Sequence, residues 1–267
     1  MSAPMPHLVA TDLDGTIVRS DGTISSRTVS ALERVERAGA TLVLVTGRPP
    51  RWMAEIADAV GHHGLAICAN GALVYDLSRE SVVRSRYIEP DVLTEAIGRL
   101  REVVPEFRFA VEHGTGFVFE ARYNLGTWDS DALGGRPVDG DTLVSAPGSK
   151  LLAFHPGGNP DTLMVQAEKA VGDLVTVTHS SSRGLLEMSA HGVTKASALA
   201  ELCLELGVSA GDVVAFGDMP NDLPMLTWAG RSYGVANAHP DVLAAVGAIT
   251  AANNEDGVAQ VLELLFP

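Results

Sequence analysis

The chain has 267 residues, 46% of them hydrophobic and 19% charged, with a formal net charge of −14. That length accommodates two modest domains or one large one, and the apolar content excludes a disordered chain. The acidic balance argues against a nucleic-acid partner, and no apolar run is long enough to span a membrane.

No basic-then-apolar leader opens the chain, so a cytoplasmic protein with no membrane partner is expected. Cys68 and Cys203 stand in apolar runs and read as small buried hydrophobes, with no spacing that suggests zinc or a disulfide framework.

The first element is an apolar run at residues 7–10, of the kind a buried parallel strand shows. It stops in Thr11-Asp12-Leu13-Asp14-Gly15-Thr16. If the strand continued, Asp12 and Asp14 would point the same way. Two such carboxylates repel, and removing them from water calls for a cation. A divalent metal with oxygen ligands is one answer, and Mg²⁺ is the common choice where a phosphate completes the shell. A solvated strand-to-loop turn, where Asp and Gly are frequent, is the other.

Asp21-Gly22-Thr23 then marks a turn, and Ser25 or Ser26 caps a helix through Val29, Leu32 and Val35 that stops at Gly39. Residues 41–45 form a second buried strand, ending in Thr46-Gly47-Arg48. Pro49 or Pro50 opens a helix through Met53, Ile56 and Val60. Residues 65–69 form a third strand that closes on Asn70-Gly71. This alternation predicts a right-handed, doubly wound parallel sheet, a Rossmann-like α/β core.

The pattern changes from about residue 73 to residue 186. Runs such as 107–111 and 117–119 alternate apolar with polar, as half-exposed antiparallel strands do. Helices are expected at 90–103 and 161–171, with a Gly- and Asp-rich stretch at 121–149 that forms a long loop or bears only short elements. Residues 81–186 are therefore expected to form an inserted α+β domain, and residues 1–80 with 187–267 the core. Past the insertion, a helix follows Val193-Thr194 and runs to Gly207. Residues 212–216 form a strand ending in Gly217-Asp218-Met219-Pro220-Asn221-Asp222, and a helix through Leu223, Met225 and Leu226 follows. A short strand at 232–235 and helices at 240–246 and 257–265 complete the chain.

Carboxyl ends of strands at a topological switch point share one crevice. Asp12 with Asp14, Thr46-Gly47-Arg48, and Gly217-Asp218 with Asn221-Asp222 all fall at such ends, and Lys195 starts a helix. Each alone has an ordinary reading: a solvated lysine, a strand-to-helix turn, an acidic first turn. Together they suit phosphoryl transfer, which needs a nucleophile, a metal, donors for the equatorial oxygens and a proton donor for the leaving group.

In this order the motifs resemble the haloacid dehalogenase-like superfamily. Asn70-Gly71, the insertion after the Thr46 strand and Gly192-Val193-Thr194-Lys195 are similar to the Cof-type phosphatases, whose large α/β cap lies between the second and third motifs. The resemblance implies Asp12 as nucleophile, forming an aspartyl-phosphate, and Asp14 as general acid and then base. It implies a Mg²⁺ cofactor bound by the Asp12 and Asp218 side chains and the Asp14 backbone carbonyl. Thr46, with the Leu13 and Gly47 N–H groups, would hold the phosphoryl group. Lys195 would neutralise its charge and keep Asp12 ionised, while Asn221 would touch a phosphate oxygen. Asp222 would orient Lys195 or a metal-bound water. Apart from the resemblance, the plain reading of Arg48 is a pairing with a structural carboxylate.

The implied activity is hydrolysis of a small phosphorylated metabolite such as a sugar phosphate, with the inserted cap closing over the substrate and selecting it. A phosphosugar mutase and a catalytically idle binding protein are the alternatives. Arg122, Tyr123, Trp128 and Arg136 are cap candidates for substrate contact, with solvated loop residues as the plainer reading. His62-His63 reads as solvated surface, because neighbouring residues do not face one another. His191, near Lys195 in sequence, is a loop histidine that could approach the site or stand inert. No oligomeric state is assigned.

Overall fold

The structure is a computed structural model that describes residues 5–114, 116–123 and 135–267. It divides into two compact units. The first takes the chain up to Arg48, Trp52–Val83 and Thr194–Pro267, and the second takes Pro49–Arg51 and Arg84–Val193.

The chain begins with β1 (Leu8–Thr11), α1 (Ser26–Arg37), β2 (Thr41–Val45), α2 (Ala54–Val60) and β3 (Leu65–Cys68). The cap of α1 is Ser25, whose hydroxyl accepts from the Thr28 N–H; Ala31, Leu32 and Val35 bury its inner face. A 3₁₀ turn at Ala69–Gly71 leads to β4 (Leu73–Asp76) and then β5 (Ser81–Ser85).

The elements of the second unit are α3 (Pro90–Val103), β6 (Arg108–His113), β7 (Gly116–Glu120), β8 (Gly135–Val138), α4 (Gly140–Leu143), β9 (Lys150–Phe154), α5 (Pro160–Val171), β10 (Val175–Thr178) and β11 (Leu185–Ala190). The first unit resumes with α6 (Lys195–Leu206), β12 (Val213–Gly217), α7 (Leu223–Trp228), β13 (Arg231–Val235), α8 (Pro240–Ala245), β14 (Ala248–Thr250) and α9 (Gly257–Leu265).

The first unit's sheet runs β14-β13-β12-β1-β2-β3-β4-β5. It is parallel from β14 to β3, and β4 turns back antiparallel on β3. Residues 73–76, where the change of pattern begins, pair with β3 and so belong to the core sheet. The strands β1 and β12 are fully buried, as a sheet covered on both faces requires. Two helical groups cover it, α1 packing with α9 and α6 with α7, which also meets α8. The register sets Thr11 beside Leu44 and Phe216, so the chain leaves β1, β2 and β12 at one end of the sheet.

The second unit's sheet runs β10-β11-β9-β6-β7-β8, antiparallel except for the β7–β8 pair. Alternate side chains (Phe109, Val111, Leu151, Ala153, Leu186, Met188) meet Leu93, Ile97 and Leu100 of α3 and Leu163, Ala167 and Val171 of α5 in one apolar core. The strand β11 pairs with β9 and β10 through Ala190, so the chain leaves this unit at Val193 rather than at residue 186.

Within 121–149 the described residues form the short elements β8 and α4, the second of the two expectations for this stretch, and Trp128 lies outside the described residues. Arg122 and Arg136 are exposed. Tyr123 is buried against the rings of Phe117, Phe119 and Phe154, so it is not a solvated loop residue. His62 also departs from expectation. It is buried, with Nδ1 2.8 Å from the Glu36 carboxylate, because a partner on α1 satisfies the ring, whereas His63 is exposed. Both cysteines are buried and neither forms a disulfide among the described residues, as their apolar surroundings in the sequence imply. His191 is exposed.

Candidate active site

The Asp12-Leu13-Asp14 segment does not continue the strand. The strand β1 ends at Thr11, and the Leu13 carbonyl accepts the N–H groups of Thr16, Ile17 and Val18 in a tight turn. Gly15 makes that turn possible at φ +82°, a conformation L side chains rarely adopt. A Cβ there would lie 2.3 Å from Asp218 Oδ2, so the turn also brings the main chain against the end of β12. The two carboxylates consequently part company, against the expectation that they point one way. Asp12 turns inward and is buried, while Asp14 turns outward and remains half-exposed.

The buried side is built around Lys195. This residue starts α6, whose cap is a reciprocal pair: the Thr194 hydroxyl accepts the Ser197 N–H and the Ser197 hydroxyl accepts the Thr194 N–H. The side chain of Lys195 is wholly inaccessible, and Nζ donates to Asp12 Oδ1 and to Asp222 Oδ1, each at 2.6 Å. Burial alone would favour the neutral amine, but Asp12 and Asp222 override it and hold the ammonium above its usual range.

Asp222 is spent on structure. Its second oxygen accepts the Asp218 and Met219 N–H groups, each at 3.0 Å. It therefore fixes both the lysine and the loop that carries Asp218. Asp218 itself is buried and accepts a hydrogen bond from Thr16 Oγ1 at 3.2 Å.

Ligand oxygens of Asp12, Asp218 and Asp222 all lie within 4.8 Å of one another. Three carboxylates against one ammonium leave the site short of positive charge. Burial, aided by the Asp222 and Asp14 charges and opposed by Lys195, pushes the Asp12 carboxyl up to about 7. Burial, with Asp12 and Asp222 beside it, pushes Asp218 up to about 9. A divalent cation fits this donor set by chemistry as well as by spacing: hard, crowded, buried oxygens lacking a counter-charge. With both Asp222 oxygens engaged, Asp12 and Asp218 are the side chains left to hold it.

On the exposed side, Arg48 grips Asp14 with two bonds, Nε to Oδ2 at 2.8 Å and Nη2 to Oδ1 at 2.5 Å. The fork holds the guanidinium above its usual range. Thr46 is buried, and its Oγ1 accepts the Arg48 N–H at 3.0 Å, with Gly47 in the turn between them. Asn221 is buried and donates from Nδ2 to Asn70 Oδ1 at 3.0 Å, while its own Oδ1 has no hydrogen-bond partner among the described residues.

The sequence reading assigned no role to two residues that touch this constellation, Thr16 and Asn70. The signal for Thr16 was its place in the Asp12–Thr16 motif. For Asn70 it was the Asn-Gly pair, which marked only a turn.

The chain matches a known family. Residues 9–262 match the family model of the haloacid dehalogenase-like hydrolases, and the chain belongs to that family. It is a phosphomonoester hydrolase of that superfamily, on an α/β core of Rossmann type. The chain is 28% identical over 257 residues to the 5-amino-6-(5-phospho-D-ribitylamino)uracil phosphatase YcsE of Bacillus subtilis (strain 168), covering 96% of this chain and 94% of that one. To the HMP-PP phosphatase of Enterobacter sp. (strain 638) it is 29% identical over 248 residues, covering 90% and 88%. Among solved structures, the phosphatase BT1666 of Bacteroides thetaiotaomicron shares the fold at a TM-score of 0.82 and 23% identity, covering 98% of this chain and 95% of that one.

Proposed function

We propose that the protein is a Mg²⁺-dependent phosphatase that hydrolyses a small phosphorylated metabolite through an aspartyl-phosphate on Asp12. The observation that carries this reading is the buried triad in which one ammonium faces Asp12 and Asp222 while Asp218 converges on the same point. Asp12 and Asp218 side chains, with the Asp14 backbone carbonyl, would hold the cation. When bound, Mg²⁺ supplies charge neutralisation for the phosphoryl oxygens and for the carboxylate crowd.

The remaining work falls to the chain's own groups. Lys195 stays protonated between two carboxylates, so it offers a fixed cation to the phosphoryl group and, together with the divalent cation, would favour the ionised Asp12 that attack requires. Attack by an Asp12 oxygen on phosphorus breaks the bond to the leaving oxygen, which takes a proton from Asp14. Water then attacks the same phosphorus, gives a proton back to Asp14 and frees the Asp12 carboxylate. To reach that oxygen Asp14 must exchange the Arg48 fork for it. Thr46 Oγ1 already accepts the Arg48 N–H, which leaves its O–H free to donate to a phosphoryl oxygen, with the Leu13 and Gly47 N–H groups beside it. The Asn221 amide contributes to the same oxygens.

The named relatives support a compact organic phosphate as substrate, since one is called a phosphoribitylaminouracil phosphatase and another an HMP-PP phosphatase. The second unit, as the inserted cap, selects among such substrates. The test is phosphate release from a panel of sugar phosphates, phosphorylated pyrimidines and p-nitrophenyl phosphate, with and without Mg²⁺. Turnover should need the cation and vanish in Asp12→Asn. Retained turnover in that variant defeats the nucleophile assignment, and isomerisation without phosphate release marks a mutase instead.

A further inference from the structure

The turn that follows β3 takes an expensive conformation. Ala69, Asn70 and Gly71 all have positive φ, at 50°, 57° and 104°. L-residues visit this region singly and rarely in runs. Such strain persists only where the surroundings over-determine it, which is a feature of functional sites. Here the surroundings are three separate pieces of the candidate site.

The N–H groups of Ala69 and Asn70 donate to the carbonyls of Arg48 and Thr46, at 2.9 and 3.1 Å. The Thr46-Gly47-Arg48 loop is thereby pinned from behind by its carbonyls. A Cβ on Gly71 would lie 2.2 Å from the carbonyl oxygen of Thr194, so the turn presses at backbone distance on the cap of the helix that begins with Lys195. The side chain of Asn70 supplies the third link, its Oδ1 accepting from Asn221 Nδ2, with both residues buried.

We propose that Asn70 is a positioning residue for the phosphate-binding groups of the first unit. Its backbone holds the Thr46 loop, and its amide holds Asn221. The residue type fits both demands, because Asn is among the L-residues that best tolerate a left-handed backbone and also carries a side-chain acceptor. Glycine would meet the first demand and fail the second, so the amide can be tested without disturbing the turn. The proposal rests on the phosphatase reading and adds to it a residue that touches none of the reacting atoms.

The experiment uses the full chain with Mg²⁺, and measures kcat and KM on p-nitrophenyl phosphate together with inhibition by inorganic phosphate. Five variants are compared with wild type: Asn70→Gly, Asn221→Ala, their double, Asn70→Asp, and Asn70→Asp combined with Asn221→Ala. Loss of one uncharged hydrogen bond corresponds to roughly a fivefold change. Asn70→Gly should weaken phosphate inhibition about that much and raise KM more than it lowers kcat, with a melting midpoint lowered by no more than a few degrees. Asn221→Ala, which also removes the amide's own contact with phosphate, should cost at least as much, and the double variant should be no worse than Asn221→Ala alone.

In the Asn70→Asp background the acceptor remains, so adding Asn221→Ala should again cost about fivefold relative to Asn70→Asp alone. This arm stands even if Asn70→Gly fails to fold. Effects that multiply in the double variant, or an Asn70→Gly protein with wild-type phosphate affinity, overturn the role of Asn70 alone. A wild-type protein that neither releases phosphate nor is inhibited by it overturns the phosphatase reading, and this proposal with it.

Discussion

Asp12 and Asp222 accept hydrogen bonds from the same lysine at the same distance, yet replacing them with Asn should move stability in opposite directions. Asp222 accepts from Lys195 Nζ and from two backbone N–H groups, at 2.6, 3.0 and 3.0 Å, with no exposure at all. An amide in its place has one oxygen to offer. If that oxygen serves the backbone donors, the NH₂ group faces the ammonium, and a flip only exchanges one donor clash for another. Removing one partner of a buried pair costs about 3–5 kcal/mol, and the lower end applies because Lys195 keeps Asp12. At about 2–4 °C per kcal/mol for a chain of this size, the midpoint should fall by roughly 6 °C or more.

Asp12 is the reverse case. Its carboxyl is held at about 7 against an ordinary 3.8, so above neutral pH its charge burdens the metal-free fold. Asp12→Asn removes that burden and should leave the metal-free midpoint unchanged or higher while abolishing turnover. The assay is thermal unfolding at pH 8 without divalent metal, beside phosphate release with Mg²⁺. The reasoning fails if Asp222→Asn melts within 2 °C of wild type, or if Asp12→Asn falls as far as Asp222→Asn.

Three further outcomes follow from the same contacts. Asp12 and Asp218 both have folded-state pKa values raised above 3.8, so the native state holds protons that the unfolded chain has lost. The metal-free midpoint should therefore decline as pH climbs through 7 towards 9, and the stabilisation by added Mg²⁺ should grow over that range; melting curves with and without the ion at four pH values would show a constant gap if this is wrong. Gly15→Ala places a Cβ 2.3 Å from Asp218 Oδ2 on a positive-φ backbone, and should remove both turnover and the Mg²⁺-induced rise in midpoint, the latter read by scanning fluorimetry. In the second unit, Lys150 donates to Glu187 at 2.6 Å with both side chains buried, so Lys150→Met should cost about 3 kcal/mol and Lys150→Met with Glu187→Leu should recover most of it in urea unfolding.

Most of the helices and the central parallel strands were legible because their signals are local. The stretch from Pro90 to Val103 carries its own apolar period and its own Pro at the first turn, and it is helical over that span. The Gly257–Leu265 helix is legible for the same reason. The change of pattern at residue 73 does not mark the edge of the core, because alternation signals an antiparallel strand without saying which sheet receives it. The burial of His62 and Tyr123 depended on a carboxylate from a distant helix and on rings from neighbouring strands, and neither was visible at their own positions.

Chemistry lives in residue types, and those were written in the chain: paired aspartates at a strand end, a lysine opening a helix, an Asn-Asp pair after a second strand. Their order and their strand-end setting were sufficient to name phosphoryl transfer. Which carboxylate turns inward to the lysine and which turns out to Arg48 is a different matter, decided by a tight turn at Gly15 and by the approach of β12 to β1. Spacing along a chain lists the charges available to a site. Only packing assigns each one a direction, because a buried charge points wherever the folded neighbours supply its counter-charge.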